Sequence, residues 1–81
     1  MPAIIKRSLR IAGHATSISL EEPFWRFLRQ KAESEGRSLS ALVEEIDRDR
    51  RDGNLSSAIR VHLLEWLVTG GILAGKADPE S

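Results

Sequence analysis

The chain has no cysteine among its 81 residues, which excludes disulfides and thiolate metal sites and points to a reducing compartment. No apolar run approaches the ~20 residues that a membrane-spanning helix needs, so no membrane role is expected. The opening Met1-Pro2-Ala3-Ile4-Ile5-Lys6-Arg7 places charge after a very short apolar stretch. That is the wrong order for a secretory signal, and a cytoplasmic location is the expectation. Net charge is also missing, with 12 Lys and Arg against 12 Asp and Glu. Most nucleic-acid binders are basic, so the balance argues against one.

The distribution of charge weakens that objection. Residues 1–20 carry Lys6, Arg7 and Arg10 and no acid, while residues 21–52 carry nine acids against seven bases. The pattern reads as a basic end on an acidic helical body. His14 and His62 are the two histidines, too few without cysteine to close a structural zinc site in one chain. Neither a metal nor a cofactor is expected. Glu44 and Glu45 are a carboxylate pair of the kind used in acid–base catalysis, but no nucleophile or glycine-rich loop accompanies them. The chain does not read as an enzyme.

With 41% hydrophobic and 30% charged residues the chain reads as one small globular domain, at a size where a second copy often completes the core. Thr16-Ser17-Ile18-Ser19-Leu20 has strand character, with no convincing second strand downstream. A lone strand leaves its backbone groups unpaired, and the simplest remedy is the same strand from a second copy. Leu9 and Ile11 sit at odd positions and Ile18 and Leu20 at even ones, so one uninterrupted strand cannot bury both sets. Gly13 lies between them, where a bulge or turn can switch the parity. The division expected is a basic N-terminal arm at 1–13, with room for a short strand of its own around Ser8–Ala12, a core at 14–52, a C-terminal helix at 53–70 and a flexible tail at 71–81.

Three helices follow. The first runs from about Glu22 to Glu35, with Pro23 near its start, a Phe24, Leu28, Ala32 stripe and Gly36 at its end. Ser38 caps the second, which buries Leu39, Leu42, Val43 and Ile46. Asn54 or Ser56 caps the third, which carries Ile59, Leu63, Trp66 and Leu67 and stops at Gly70-Gly71. The fold class is mostly helical α+β.

The strand ending at Leu20, the acid-and-proline helix entry, the Phe24/Leu28/Ala32 stripe and Gly36-Arg37-Ser38 before a Leu-rich helix resemble a ribbon-helix-helix domain of the MetJ/Arc class. With Arg7-Ser8-Leu9-Arg10 and the third helix, the chain is similar to short bacterial members with an appended C-terminal helix. The resemblance implies a homodimer, with one antiparallel strand per chain forming a two-stranded ribbon that enters the major groove of double-stranded DNA. Thr16, Ile18, Leu20, Phe24, Leu28, Leu42, Val43 and Ile46 would then build the dimer core.

Ala15, Ser17 and Ser19 would face DNA. Serine reads bases ambiguously and alanine offers only an apolar contact, so base reading would be weak. Lys6, Arg7, Arg10 and His14 would supply flanking contacts. Arg37, Ser38 and Ser40 would clamp a phosphate at a helix N-terminus. A rival register moves that clamp to Asn54, Ser56, Ser57 and Arg60. The implied function is a transcriptional regulator, a repressor. The alternative is an antitoxin-like interaction protein that binds a protein partner through its C-terminal helix.

Overall fold

A computed structural model describes residues 3–50 and 53–70. Strand β1 (Ile4–Ile11) turns through Ala12 and Gly13 into β2 (His14–Glu21). Both turn residues have positive φ, 52° at Ala12 and 85° at Gly13. A two-residue loop with that backbone matches the right-handed twist of the strands it joins. Glu44 Oε2 accepts the Ala12 N–H at 2.8 Å, which ties the turn to the second helix.

The turn explains the parity change in the apolar pattern. Antiparallel pairing sets Ile5 opposite Leu20, Arg7 opposite Ile18, Leu9 opposite Thr16 and Ile11 opposite His14. Odd positions of β1 and even positions of β2 therefore share one face. On that face Ile11, Ile18 and Leu20 are buried and Ile5 and Leu9 pack against the core.

Helix α1 (Glu22–Ser34) has Pro in its first turn, where a missing N–H leaves no intrahelical bond unmade. It ends where Gly36 takes φ 67°, with Arg37 N donating to Ala32 O at 3.0 Å and Gly36 N to Glu33 O at 3.1 Å. These paired bonds satisfy carbonyls that the last turn would otherwise leave open. Ser38 Oγ accepts from Ala41 N at 3.0 Å and starts α2 (Leu39–Asp49). Asn54 Oδ1 accepts from Ser57 N at 2.8 Å and starts α3 (Leu55–Val68).

The three helices lie on one side of the hairpin. Trp25, Leu28, Ala32, Leu42, Val43, Ile46, Ile59 and Leu63 close the core, each side chain contributing about 1.5–3 kcal/mol if large and fully buried. Trp25 also donates its indole N–H to Ile5 O at 2.9 Å, so the core's largest side chain buries its polar atom with a partner. Lys31 is buried too. Its ammonium pairs with Glu35 and lies 5.8 Å from the Trp66 ring centre.

Two expectations change. Residues 4–11 are a full strand of the sheet, where a basic arm with at most a short strand around Ser8–Ala12 was expected. The Thr16–Leu20 segment, expected to lack a partner strand within the chain, pairs with β1 because the Ala12-Gly13 turn folds β1 back along β2. Of the residues expected to build a core between copies, Ile18, Leu20, Leu28, Leu42, Val43 and Ile46 are buried in the single chain, and Thr16 and Phe24 are half-buried. The mostly helical α+β class and the third helix stand as expected. The expected tail at 71–81 and residues 51 and 52, the end of the expected core, lie outside the described residues.

His62 faces α2 from α3, and its Nε2 is buried without a hydrogen-bond partner. Burial pushes its pKa below the ordinary 6.5 and Lys31 adds to this, while Glu45, Glu35 and Glu65 oppose it.

Gly13→Val forces a β-branched side chain into a left-handed backbone and lowers stability by about 1–2 kcal/mol in urea unfolding; an unchanged midpoint would mean the turn is not as described. For His62 the unfolded chain takes up a proton at higher pH than the folded one. Stability is therefore full above about pH 6.5 and falls below it. A pH series of unfolding midpoints should show this loss, and His62→Gln should flatten the curve between pH 6.5 and the carboxylate range.

Candidate nucleic-acid interface

The hairpin face turned away from the helices is built from the even positions of β1 and the odd positions of β2. The register pairs Lys6 with Ser19, Ser8 with Ser17 and Arg10 with Ala15, and all six residues are exposed. Alternation along each strand makes this placement unavoidable once the opposite face is buried. At the ends, Ile4 is 63% exposed and Glu21 is half-buried.

Lys6 and Arg10 are the cations of this surface. Arg10 donates from Nη1 to Gly13 O at 3.1 Å, which draws its guanidinium toward the turn. Glu21, at the far end, is held by Arg60 of α3, whose Nε and Nη2 reach its two carboxylate oxygens at 2.9 and 3.3 Å. That pairing lowers the Glu21 pKa below its ordinary value and cancels its charge locally. The middle of the face is left basic and hydroxylic.

Helix α3 also touches the outer edge of β2. Ser56 Oγ donates to Ser19 O at 2.8 Å. In a hairpin closed by the Ile11–His14 pair, the backbone groups of Ala15, Ser17, Ser19 and Glu21 point outward, so Ser56 occupies one of these edge acceptors.

The candidate residues separate into three groups. Lys6, Arg10, Ala15, Ser17 and Ser19 come together on the outward face. Arg7 and His14 belong by register to the opposite face; both are exposed, and Arg7 lies 5.6 Å from the Trp25 ring centre in a cation–π contact. Arg37, Ser38 and Ser40 sit at the start of α2 in the helical layer. Arg37 bonds Glu35 through Nε at 2.9 Å and Glu45 through Nη2. The Glu45 contact, more than any other, raises the Arg37 pKa and lowers that of Glu45.

Sequence reasoning missed Ser8, although it shares parity with Lys6 and Arg10. It also missed the long-range contacts of Glu44 with the turn and of Ser56 and Arg60 with β2. No local pattern could have revealed these, since their partners lie 32 to 39 residues away. Of the rival register, Asn54 is a helix cap, and Ser56 and Arg60 hold α3 to β2.

No curated protein matches the chain. A solved structure, that of an uncharacterized protein from Bordetella pertussis Tohama I, is 32% identical with a TM-score of 0.68. The match covers 82% of this chain and 57% of that one, so the chain spans little more than half of its solved relative. The family model for the ribbon-helix-helix domain matches residues 4–67, from the first strand through nearly all of α3. The chain belongs to the ribbon-helix-helix family.

Proposed function

We propose that the chain acts as a homodimeric, sequence-specific DNA-binding protein, a transcriptional repressor that inserts its β-hairpin into the major groove. Membership of the family supports the coarser statement, a regulator of the DNA-binding or antitoxin-like kind. The observation that carries the finer one is the outward face of the hairpin, where Lys6 and Arg10 stand in register with Ser8, Ser17 and Ser19. A major groove admits a two-stranded ribbon, and eight-residue strands span about 26 Å of it.

Because β1 lies beside β2, the groove-facing surface holds long basic side chains as well as serines. An arginine or lysine addresses guanine edges or phosphates, serine addresses either kind of base edge, and Ala15 offers a contact for a thymine methyl. Arg7 and His14 are assigned no base contact, since they belong to the other face. Arg37, Ser38 and Ser40 remain the proposed phosphate clamp at the start of α2. Repression follows from occupying a short inverted repeat and excluding polymerase.

A second reading has one specific observation behind it. Val61, Leu64 and Val68 of α3 are 55%, 59% and 75% exposed, a surface suited to protein contact. An antitoxin-like protein would use it to hold a protein partner.

Fluorescence anisotropy with duplex DNA from upstream of the coding region, beside scrambled duplex and across a salt series, separates the two. Tight, salt-steep binding that prefers the native duplex is expected; equal and weak binding to both would remove the repressor reading. Arg10→Ala and Arg37→Ala should each lower the salt slope by roughly one, and Arg10→Ala should also reduce the preference for the native duplex. An unchanged slope would remove that residue from the interface.

A further inference from the structure

Among the described residues, the exposed large hydrophobics are Ile4, Val61, Leu64 and Val68, and the last three belong to α3. The opposite face of that helix buries Ile59 and Leu63 in the core and packs Trp66 against it. A helix apolar nearly all round is normally covered on both sides. Val61, Leu64 and Leu67 form one wall of a groove of about 350 Å³, and Phe24 and Phe27 of α1 form the other. Arg60 is the charged side chain in its lining, and both carboxylate oxygens of Glu21 already engage it. Such a groove offers a charged segment no free counter-charge and suits an uncharged, apolar one.

The chain itself supplies that segment. Past Gly70 it continues as Gly71-Ile72-Leu73-Ala74-Gly75, without a charge, before Lys76, Asp78 and Glu80. Helix α3 ends at Val68, and Gly70 follows with φ 123°, a backbone that lets the chain turn off the helix axis. Val61 lies about 10 Å along that axis from Val68. Residues 71–75 span about 16 Å when extended. A segment that turns back at Gly70 therefore runs the length of the groove, from Leu67 past Val61, before its first charge. Tethering strengthens the contact. A segment joined to α3 by a short link is present at about millimolar effective concentration, so a few apolar contacts suffice to hold it.

We infer that residues 71–75 fold back over the α1–α3 groove of their own chain, with Ile72 and Leu73 between its two walls and Lys76 in solvent beyond Val61. The segment is then an intramolecular cover for the apolar face of α3. A protein partner taking that face, as in the antitoxin-like reading, has to displace the segment first, which lowers the affinity of any such contact. The inference stands whether or not the hairpin binds DNA.

Nuclear Overhauser spectroscopy on the full chain tests it. In a uniformly labelled sample the Ile72 and Leu73 methyls should show contacts to the Phe24 and Phe27 rings and the Leu64 methyls. In a refolded mixture of labelled and unlabelled chains the filtered spectrum should lose them, since they arise within one chain. Absence of these contacts from the labelled sample would overturn the inference. Their persistence in the filtered spectrum, or contacts there between the α3 helices of two chains, would overturn it in favour of a second copy. Leu73→Asp gives an independent readout at a position outside the described residues. Its carboxylate finds no free counter-charge in the groove and should release the segment. Fluorescence of the apolar dye anilinonaphthalene sulfonate should then rise severalfold, with far-UV circular dichroism unchanged. Ala77→Asp, beyond the uncharged stretch, should bind dye as the wild type does. Equal dye binding by the wild type and Leu73→Asp, or an equal rise in both variants, would overturn the inference.

Discussion

Everything on the outward surface depends on the two-residue turn at Ala12 and Gly13. Because both residues take positive φ, β1 returns along β2 with Ile11 opposite His14, and every later pair follows. A slip by one residue would exchange the faces, sending Lys6 and Arg10 toward the core and Leu9 and Ile11 into solvent. The core enforces the same register from the other side, since Ile11, Ile18 and Leu20 must meet the helices together. Glu44 adds a third constraint by accepting the Ala12 N–H. Turn chemistry, apolar pattern and a long-range hydrogen bond all favour one arrangement, which is what gives a sequence a single low-energy fold.

Zero net charge is reconciled with the proposed DNA-facing ribbon by local pairing. Glu21, at the end of β2, is partnered by Arg60, and in the helical body Glu35 is partnered by Lys31 and Arg37 and Glu45 by Arg37. The arginine pairs are part-exposed and contribute little stability each. The Glu21–Arg60 pair removes negative potential beside the hairpin, and Lys6 and Arg10 have no acid within their own strand.

Much of this was legible in the sequence. Three helices, with their Ser38 and Asn54 caps and the Gly36 stop, follow from side chains acting within a few residues of themselves. The odd-to-even change between Ile11 and Ile18 pointed to a bulge or turn at Gly13. What it did not announce was a complete eight-residue strand before the turn. Ile4 to Ile11 carries Lys6, Arg7, Ser8 and Arg10 among its apolar residues, and that composition equally describes a basic arm. The misreading had a consequence: Lys6 and Arg10 were placed at the margins of a ribbon whose exposed face they occupy. Contacts such as Ser56 to Ser19 and Glu44 to Ala12 depend on the finished packing and leave no trace in local pattern.

The central claim is that the ribbon is an intrachain hairpin, and isotope-filtered nuclear Overhauser spectroscopy tests it most directly. Ser8 faces Ser17 and Arg10 faces Ala15 at non-hydrogen-bonded positions, where opposing α-carbons are about 4.5 Å apart and the α-protons give strong contacts. In a uniformly labelled sample both contacts should be present. In a refolded mixture of labelled and unlabelled chains, the filtered spectrum reports only contacts between chains, and both should vanish. Their persistence there would show that the strands pair between copies, contradicting the account of the turn and of the surface built on it.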